Sequence, residues 1–226
     1  MSPDASIAPT ASTGSVPEEP GIATLRSRAW LTLAGLFRQP PDADFLEGLG
    51  ESTGAADGDG ALGAAWRALA EAAGRVRAGP LDDEFHDLFI GLGRGEVVPY
   101  GSWYRSGFLM DRPLVALRRD LALLGFERQQ EVREPEDHAA ALAEVMALLA
   151  DPAEGQDEST QRLFFAEHVD SWMPRLFADL QQAKSADFYR FVGGFGLAFL
   201  DFERGWLGAG GATPESTPTG DRSHEA

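Results

Sequence analysis

Glu134-Pro135-Glu136-Asp137-His138-Ala139-Ala140-Ala141-Leu142-Ala143-Glu144-Val145-Met146-Ala147-Leu148-Leu149 reads as the start and body of one amphipathic helix. Pro135 suits a first helical position, and Glu136 and Asp137 suit a first turn, where carboxylates meet the positive end of the helix dipole. Leu142, Val145, Met146 and Leu149 then share one face, and Asp151-Pro152 closes the segment. His138 stands four residues before Leu142, at the edge of that face.

The same period recurs on both sides. Leu25, Ala29, Leu33, Leu36 and Phe37 predict a helix to about Arg38, stopped by Pro40-Pro41. Phe45 to Leu49 suits a short helical turn, and Glu51 to Gly60 a Gly/Asp-rich loop. Leu62, Trp66, Leu69, Ala73 and Val76 predict a second long helix ending at Gly79-Pro80, and Phe85, Leu88, Phe89 and Leu92 a third. The chain from Gly91 to Gly101 reads as irregular. Pro113 opens a helix through Leu117, Leu121 and Leu124 that Gly125 closes. Leu163, Phe164, His168, Trp172, Leu176 and Phe177 mark another, which Pro174 must bend or interrupt. Phe188 to Trp206 is the last; Gly193, Gly194 and Gly196 weaken its propensity but permit close helix packing. Val97 to Trp103 is the sole strand candidate, and Pro99 and Gly101 argue against it. The expectation is an all-α, single-domain helical bundle over residues 21–207, with disordered tails at 1–20 and 208–226 rich in Pro, Ser, Thr and Gly.

Composition narrows the function. With 226 residues, 43 % hydrophobic and 24 % charged, the chain can bury a sizeable core. Its net charge of −17 disfavours nucleic acid and anionic membrane surfaces, which demand a basic face, and favours encounter with a basic polypeptide. Solubility alone would also account for that charge. Cysteine is absent, which excludes disulfides, thiolate nucleophiles and Cys-bound metal. Residues 1–19 have neither the basic start nor the apolar centre of a secretory signal, and no apolar run is long enough to span a bilayer. The expected compartment is the cytoplasm.

Chemistry-bearing patterns are few. Asp83-x-x-His86 has a metal-ligand spacing, but a di-iron bundle needs two Glu-x-x-His pairs and further glutamates. Gly91-Leu92-Gly93-Arg94-Gly95 lacks both the dinucleotide fingerprint and the P-loop Lys, and follows a helix, so it reads as a helix stop. No Gly-x-Ser-x-Gly elbow occurs. A helical metalloprotein or small hydrolase using His86, His138 and nearby carboxylates stands as the alternative reading. Two segments remain. Pro99-Tyr100-Gly101-Ser102-Trp103-Tyr104 offers aromatic side chains beside Pro and Gly, suited either to hold an extended peptide or to plug the core. Glu134 to His138 suits either a helix cap with a core histidine or a cation-binding wall.

Taken in order, these segments resemble the TorD/DmsD/NarJ family of molybdoenzyme maturation chaperones. Glu134, Pro135, Asp137 and His138 fit the family's Glu-Pro-x-Asp-His form. Phe85-His86-Asp87-Leu88-Phe89-Ile90-Gly91 is similar to its aromatic-x-x-Leu-Phe-x-Gly, and Pro99 to Tyr104 to its Pro-aromatic-x-Ser-x-Tyr. Phe165-Ala166-Glu167-His168, Trp172-Met173-Pro174 and Phe188-Tyr189 are similar to its C-terminal helices. The resemblance implies a TorD-like helical fold and no catalytic chemistry, cofactor or metal of its own. It implies a cytoplasmic chaperone that binds the N-terminal signal, often twin-arginine, of an apo molybdoenzyme catalytic subunit until cofactor insertion. Carried over by position, Phe85, Leu88, Phe89, Pro99, Tyr100, Ser102, Tyr104, Glu134, Asp137 and His138 form or support the signal-binding surface. The fold is compatible with a monomer or with a dimer swapped through the long loop from Gly125 to Arg133.

Overall fold

In a computed structural model the described residues are 21–52, 60–91, 94–128 and 133–208. The sequence expectations for the two tails, apart from Gly208, and for most of the Glu51–Gly60 loop fall outside them. The described residues form ten α-helices and no strand. They are α1 (Ile22–Arg38), α2 (Ala43–Glu51), α3 (Ala61–Ala73), α4 (Ala78–Phe85), α5 (Gly101–Ser106), α6 (Arg112–Leu123), α7 (Ala139–Leu149), α8 (Glu158–Phe164), α9 (Met173–Gln182) and α10 (Tyr189–Gly208). Two π-helical turns extend α4 over His86–Ile90 and α8 over Phe165–Asp170. The only β pairing among the described residues is an isolated antiparallel bridge between Tyr100 and His138.

Local chemistry sets the boundaries. Gln39 is extended because the residue before a proline avoids helical backbone, so α1 stops there. The carboxylates of Asp42 and Asp157 cap α2 and α8 by accepting the N–H of Phe45 and Thr160. Gly125, at φ +82°, closes α6: Phe126 N–H reaches Leu121 C=O and Gly125 N–H reaches Ala122 C=O.

The structure corrects several expected boundaries. The second long helix stops at Ala73, and Gly79-Pro80 lies within the first turn of α4, where a proline has no lost bond to answer for. Phe45–Leu49 is part of a full helix, α2. The helix expected across Leu163–Phe177 breaks near Ser171, and Pro174 occupies the first turn of α9. Gly101–Ser106, where the sequence predicts no helix, is helical. The helix expected from Pro135 begins instead at Ala139; Pro135–Asp137 is a turn closed by His138 N–H on Pro135 C=O.

The core runs along α1, α7, α9 and α10. Trp30, Leu33 and Leu36 of α1 and Leu142, Met146 and Leu149 of α7 share this core, and the two helices are tied where Ser27 Oγ–H donates to Ala147 C=O at 3.0 Å. α10 packs on α9 so closely that a Cβ on Gly193 would stand 2.6 Å from Phe177 C=O. One on Gly196 would stand 2.3 Å from the Phe177 ring. The anticipated role of these glycines in close packing is therefore literal. In the middle of this apolar body Arg26 and Glu203 form a fully buried pair, 2.6 and 2.9 Å between paired atoms, with Trp30 Nε1–H as a third donor at 3.2 Å. Two further carboxylates tie the α9–α10 connection to the α4 region. Glu84 accepts the N–H groups of Asp187, Phe188 and Tyr189, and Glu96 those of Lys184 and Ser185.

Candidate functional site

The site is assembled by a chain reversal that begins at the first π-helical turn. Gly91 takes φ +57°, and a Cβ there would stand 2.4 Å from Arg94 C=O. A Cβ on Gly95 would stand 2.4 Å from Leu88 C=O. Only glycine fits either place. The returning segment lies along the turn, with Val97 N–H donating to Leu88 C=O at 2.8 Å. Leu88 is fully buried, and Phe85 and Phe89 join Phe37 and Tyr189 in an edge-to-face aromatic cluster. These three candidate residues thus form the packed footing under the site, apart from its polar groups.

The returning segment delivers Pro99 and Tyr100 against the turn before α7. Ala139 N–H donates to Pro99 C=O and Gly101 N–H to Asp137 C=O, both at 2.9 Å. Asp137 then turns its side chain back: its Oδ2 accepts Ser102 N–H at 2.7 Å. That carboxylate caps α5 from a distant segment, since Ser102 sits in the helix's first turn, where backbone N–H groups have no partner within the helix. Asp137 is almost wholly buried, and its Oδ1 has no hydrogen-bond partner. Gly101 lets Trp172 approach, because a Cβ there would stand 3.1 Å from Trp172 Nε1.

His138 caps α7, its Nδ1 accepting Ala140 N–H at 3.2 Å. An acceptor nitrogen carries no proton, so the ring is neutral with its proton on Nε2. Burial agrees, pulling the His138 pKa down to about 4; Glu134 and Asp137 oppose the shift and Arg38 assists it. The Tyr100 ring meets the His138 ring edge-on at 5.0 Å, and its hydroxyl donates to Glu134. Burial, then that hydrogen bond, raise the Tyr100 pKa, so the phenol stays protonated. Glu134 itself is exposed.

The three carboxylates that follow one another closely in sequence, Glu134, Glu136 and Asp137, are separated by the structure. Glu136 already holds Arg118 at 2.9 Å and Arg128 at 3.5 Å. Burial pushes its pKa up, but the Arg118 hydrogen bond, a bond from its own backbone and the charges of Arg118 and Arg128 together outweigh that and hold it below the usual range. Glu134 stands at the rim, and Asp137 lies beneath. Tyr104 faces elsewhere: its ring stacks on Trp172 at 5.6 Å and its hydroxyl donates to Asp179 at 2.7 Å. Tyr100, Ser102, Glu134, Asp137 and His138 are therefore one constellation, supported by Pro99.

Three participants escaped the sequence reading. Arg38 lies close enough to influence His138, and it pairs with Glu144. Trp172 and Asp179 hold Tyr104. Each partnership spans dozens of residues between helices, and no local pattern announces it. The alternative metal reading finds little. His86 is exposed and turned to Asp82, its Nδ1 2.8 Å from that residue's C=O, rather than to Asp83. Among the described residues no group of three or more His, Cys, Asp or Glu side chains is placed to hold a metal. Nor is any helix there long and apolar enough to cross a membrane.

A family model described as "Nitrate reductase delta subunit" matches residues 55–178, a span that includes all ten candidate residues. The chain belongs to this family, the TorD/NarJ group. Among curated relatives, Chaperone protein TorD of Vibrio cholerae serotype O1 is 28 % identical over 130 residues, 54 % of this chain and 59 % of that protein. The chain thus aligns with less than two thirds of that relative's length. Chaperone protein TorD of Vibrio atlanticus is 25 % identical over 178 residues, 72 % of this chain and 80 % of the relative. A crystal structure described as a redox enzyme maturation protein from Archaeoglobus fulgidus superposes with a TM-score of 0.53 at 17 % identity, covering 84 % of this chain and 98 % of the other. At that identity the superposition supports the all-α fold and nothing finer.

Proposed function

We propose that the protein is a cytoplasmic chaperone that binds the N-terminal signal of an apo molybdenum-containing oxidoreductase subunit, without catalysing a reaction. The single observation that carries this reading is the Tyr100–Glu134–Asp137–His138 constellation, set inside the span shared with the delta-subunit family. Its chemistry suits a peptide cation. Glu134 offers an exposed carboxylate, oriented by a protonated phenol, and guanidinium groups favour planar carboxylate partners. His138 stays neutral at physiological pH and so does not repel an incoming arginine. The bridge between Tyr100 and His138 holds the wall rigid, which lowers the ordering cost of binding. The charge of −17 attracts a basic signal over a Debye length.

Calorimetry tests this directly. The purified protein should bind a peptide carrying an Arg-Arg pair before an apolar stretch, more weakly as salt is raised. A peptide with the arginines replaced by glutamine should bind at least about tenfold more weakly. Equal binding of the two peptides at all salt concentrations refutes the twin-arginine form of the proposal.

A further inference from the structure

Between α5 and α6 the chain presents Phe108, Leu109 and Met110 to solvent, 71 %, 50 % and 69 % exposed. Three consecutive large apolar side chains left in water need a reason, because isolated exposed residues are ordinary and contiguous patches are not. Val115, one turn into α6, is also 66 % exposed. Met110 moreover has φ +57°, the sole non-glycine residue with positive φ among those described. Such conformations persist where the surroundings enforce them, and they gather at functional positions.

Here the surroundings are the site itself. Met110 N–H donates to Ser102 Oγ at 3.1 Å, and Ser102 N–H donates to Asp137 Oδ2 at 2.7 Å. Ser106 Oγ–H lies within 2.8 Å of Ser102 C=O and 3.3 Å of Phe108 C=O. Ser102 thus straps the apolar tip to the carboxylate wall.

We propose that the Phe108–Met110 tip receives the apolar stretch of the same client signal whose basic residues meet Glu134. This deepens, and rests on, the function proposed above. Charge selects the occupant. A second copy would bring another −17 to an already acidic surface, and an anionic bilayer would repel it likewise. A polypeptide basic at one end and apolar beyond it matches both halves of the strapped unit. Methionine and phenylalanine suit such an occupant, since they adapt to varied apolar partners.

Fluorescence anisotropy with two labelled peptides tests the assignment. Both carry an Arg-Arg pair; one continues with Leu and Ala, the other with Ser. The Phe108→Ser/Met110→Ser double variant should bind the apolar peptide about tenfold more weakly than wild type and the Ser peptide equally well. Met110→Gly suits the positive φ, so it should melt no lower than wild type yet lose about threefold in affinity for the apolar peptide. It decides the matter if the double variant fails to fold. Unchanged affinity of either folded variant for the apolar peptide overturns the assignment. If Glu134→Gln still weakens binding in that case, only the tip fails. If wild type does not distinguish Arg-Arg from Gln-Gln peptides, the underlying function fails with it. Flotation of wild type, but not of the double variant, on phosphatidylcholine–phosphatidylglycerol vesicles would overturn the assignment in favour of a membrane. A concentration-dependent dimer lost in the double variant would overturn it in favour of a second copy.

Discussion

Asp137 is asked to do two things, and substitution can separate them. Its Oδ2 caps α5 through Ser102 N–H at 2.7 Å, and the proposed function gives its charge a share in the cation-binding wall. Asp137→Ala removes the acceptor and leaves a buried N–H unpaired. A buried hydrogen bond to a charged group is worth about 1.5–3 kcal/mol, so that range is the expected loss. For a fold of this size, roughly 2–4 °C per kcal/mol puts the drop in Tm at about 3–12 °C. Asp137→Asn keeps an oxygen for Ser102, and its new amide replaces Oδ1, which has no partner to lose. The Asn variant should therefore lose only about 1 kcal/mol while its affinity for an Arg-Arg peptide falls about tenfold. Urea unfolding followed by far-UV circular dichroism, with equal m-values required, gives the first quantity, and calorimetry the second. An Ala variant within about 0.5 kcal/mol of wild type would refute the capping argument. An Asn variant as unstable as the Ala variant would show that the charge itself holds the fold.

Other consequences can be measured alongside. His138 is buried with its pKa near 4 against an ordinary 6.5, so its contribution is fully present above pH 6.5 and is withdrawn as pH falls toward 4. Stability should drop by roughly 1–3 kcal/mol across that window, and His138→Asn, which retains a capping acceptor, should flatten the profile; an unchanged profile would show that His138 does not titrate there. Breaking the buried Arg26–Glu203 pair by Glu203→Gln or Arg26→Met should cost about 3–5 kcal/mol in urea unfolding, with the Arg26→Met/Glu203→Met double variant recovering much of it. Gly193→Ala should cost about 1–3 kcal/mol because its methyl meets Phe177 C=O. Gly194→Ala, which meets only the end of Gln181 at 3.3 Å, should be neutral or stabilising; similar melting temperatures for the two would contradict the close α9–α10 contact.

Much of the fold was legible because period and punctuation agree. The apolar steps of α1 and α7, the stop before Pro40 and the Gly125 closure all follow from local rules. The misreadings arose where tertiary contacts overrode those rules. Pro135 and two acids look like a helix start, but Asp137 is drawn to α5 and His138 takes the cap. Gly101–Ser106 has too few apolar steps to register as a helix, and it is held by Asp137 from 35 residues away. The family motifs pointed to Tyr100, Ser102, Asp137 and His138 together. They did not reveal that Glu136 is committed to Arg118, that Tyr104 belongs to Trp172 and Asp179, or that Phe85 and Leu88 lie beneath the surface. Side-chain direction at such positions depends on partners far away in the chain, and spacing does not encode it.

The central claim is that the Glu134 wall receives the arginines of a client signal. A double-mutant cycle between Glu134→Gln in the protein and Arg→Gln in the Arg-Arg peptide, read by calorimetry at low salt, tests it most directly. A coupling energy of about 1 kcal/mol or more, shrinking as salt is raised, is the expected result. Additive losses, with no coupling at any salt concentration, would contradict the claim and return Glu134 to the role of an exposed carboxylate held by Tyr100.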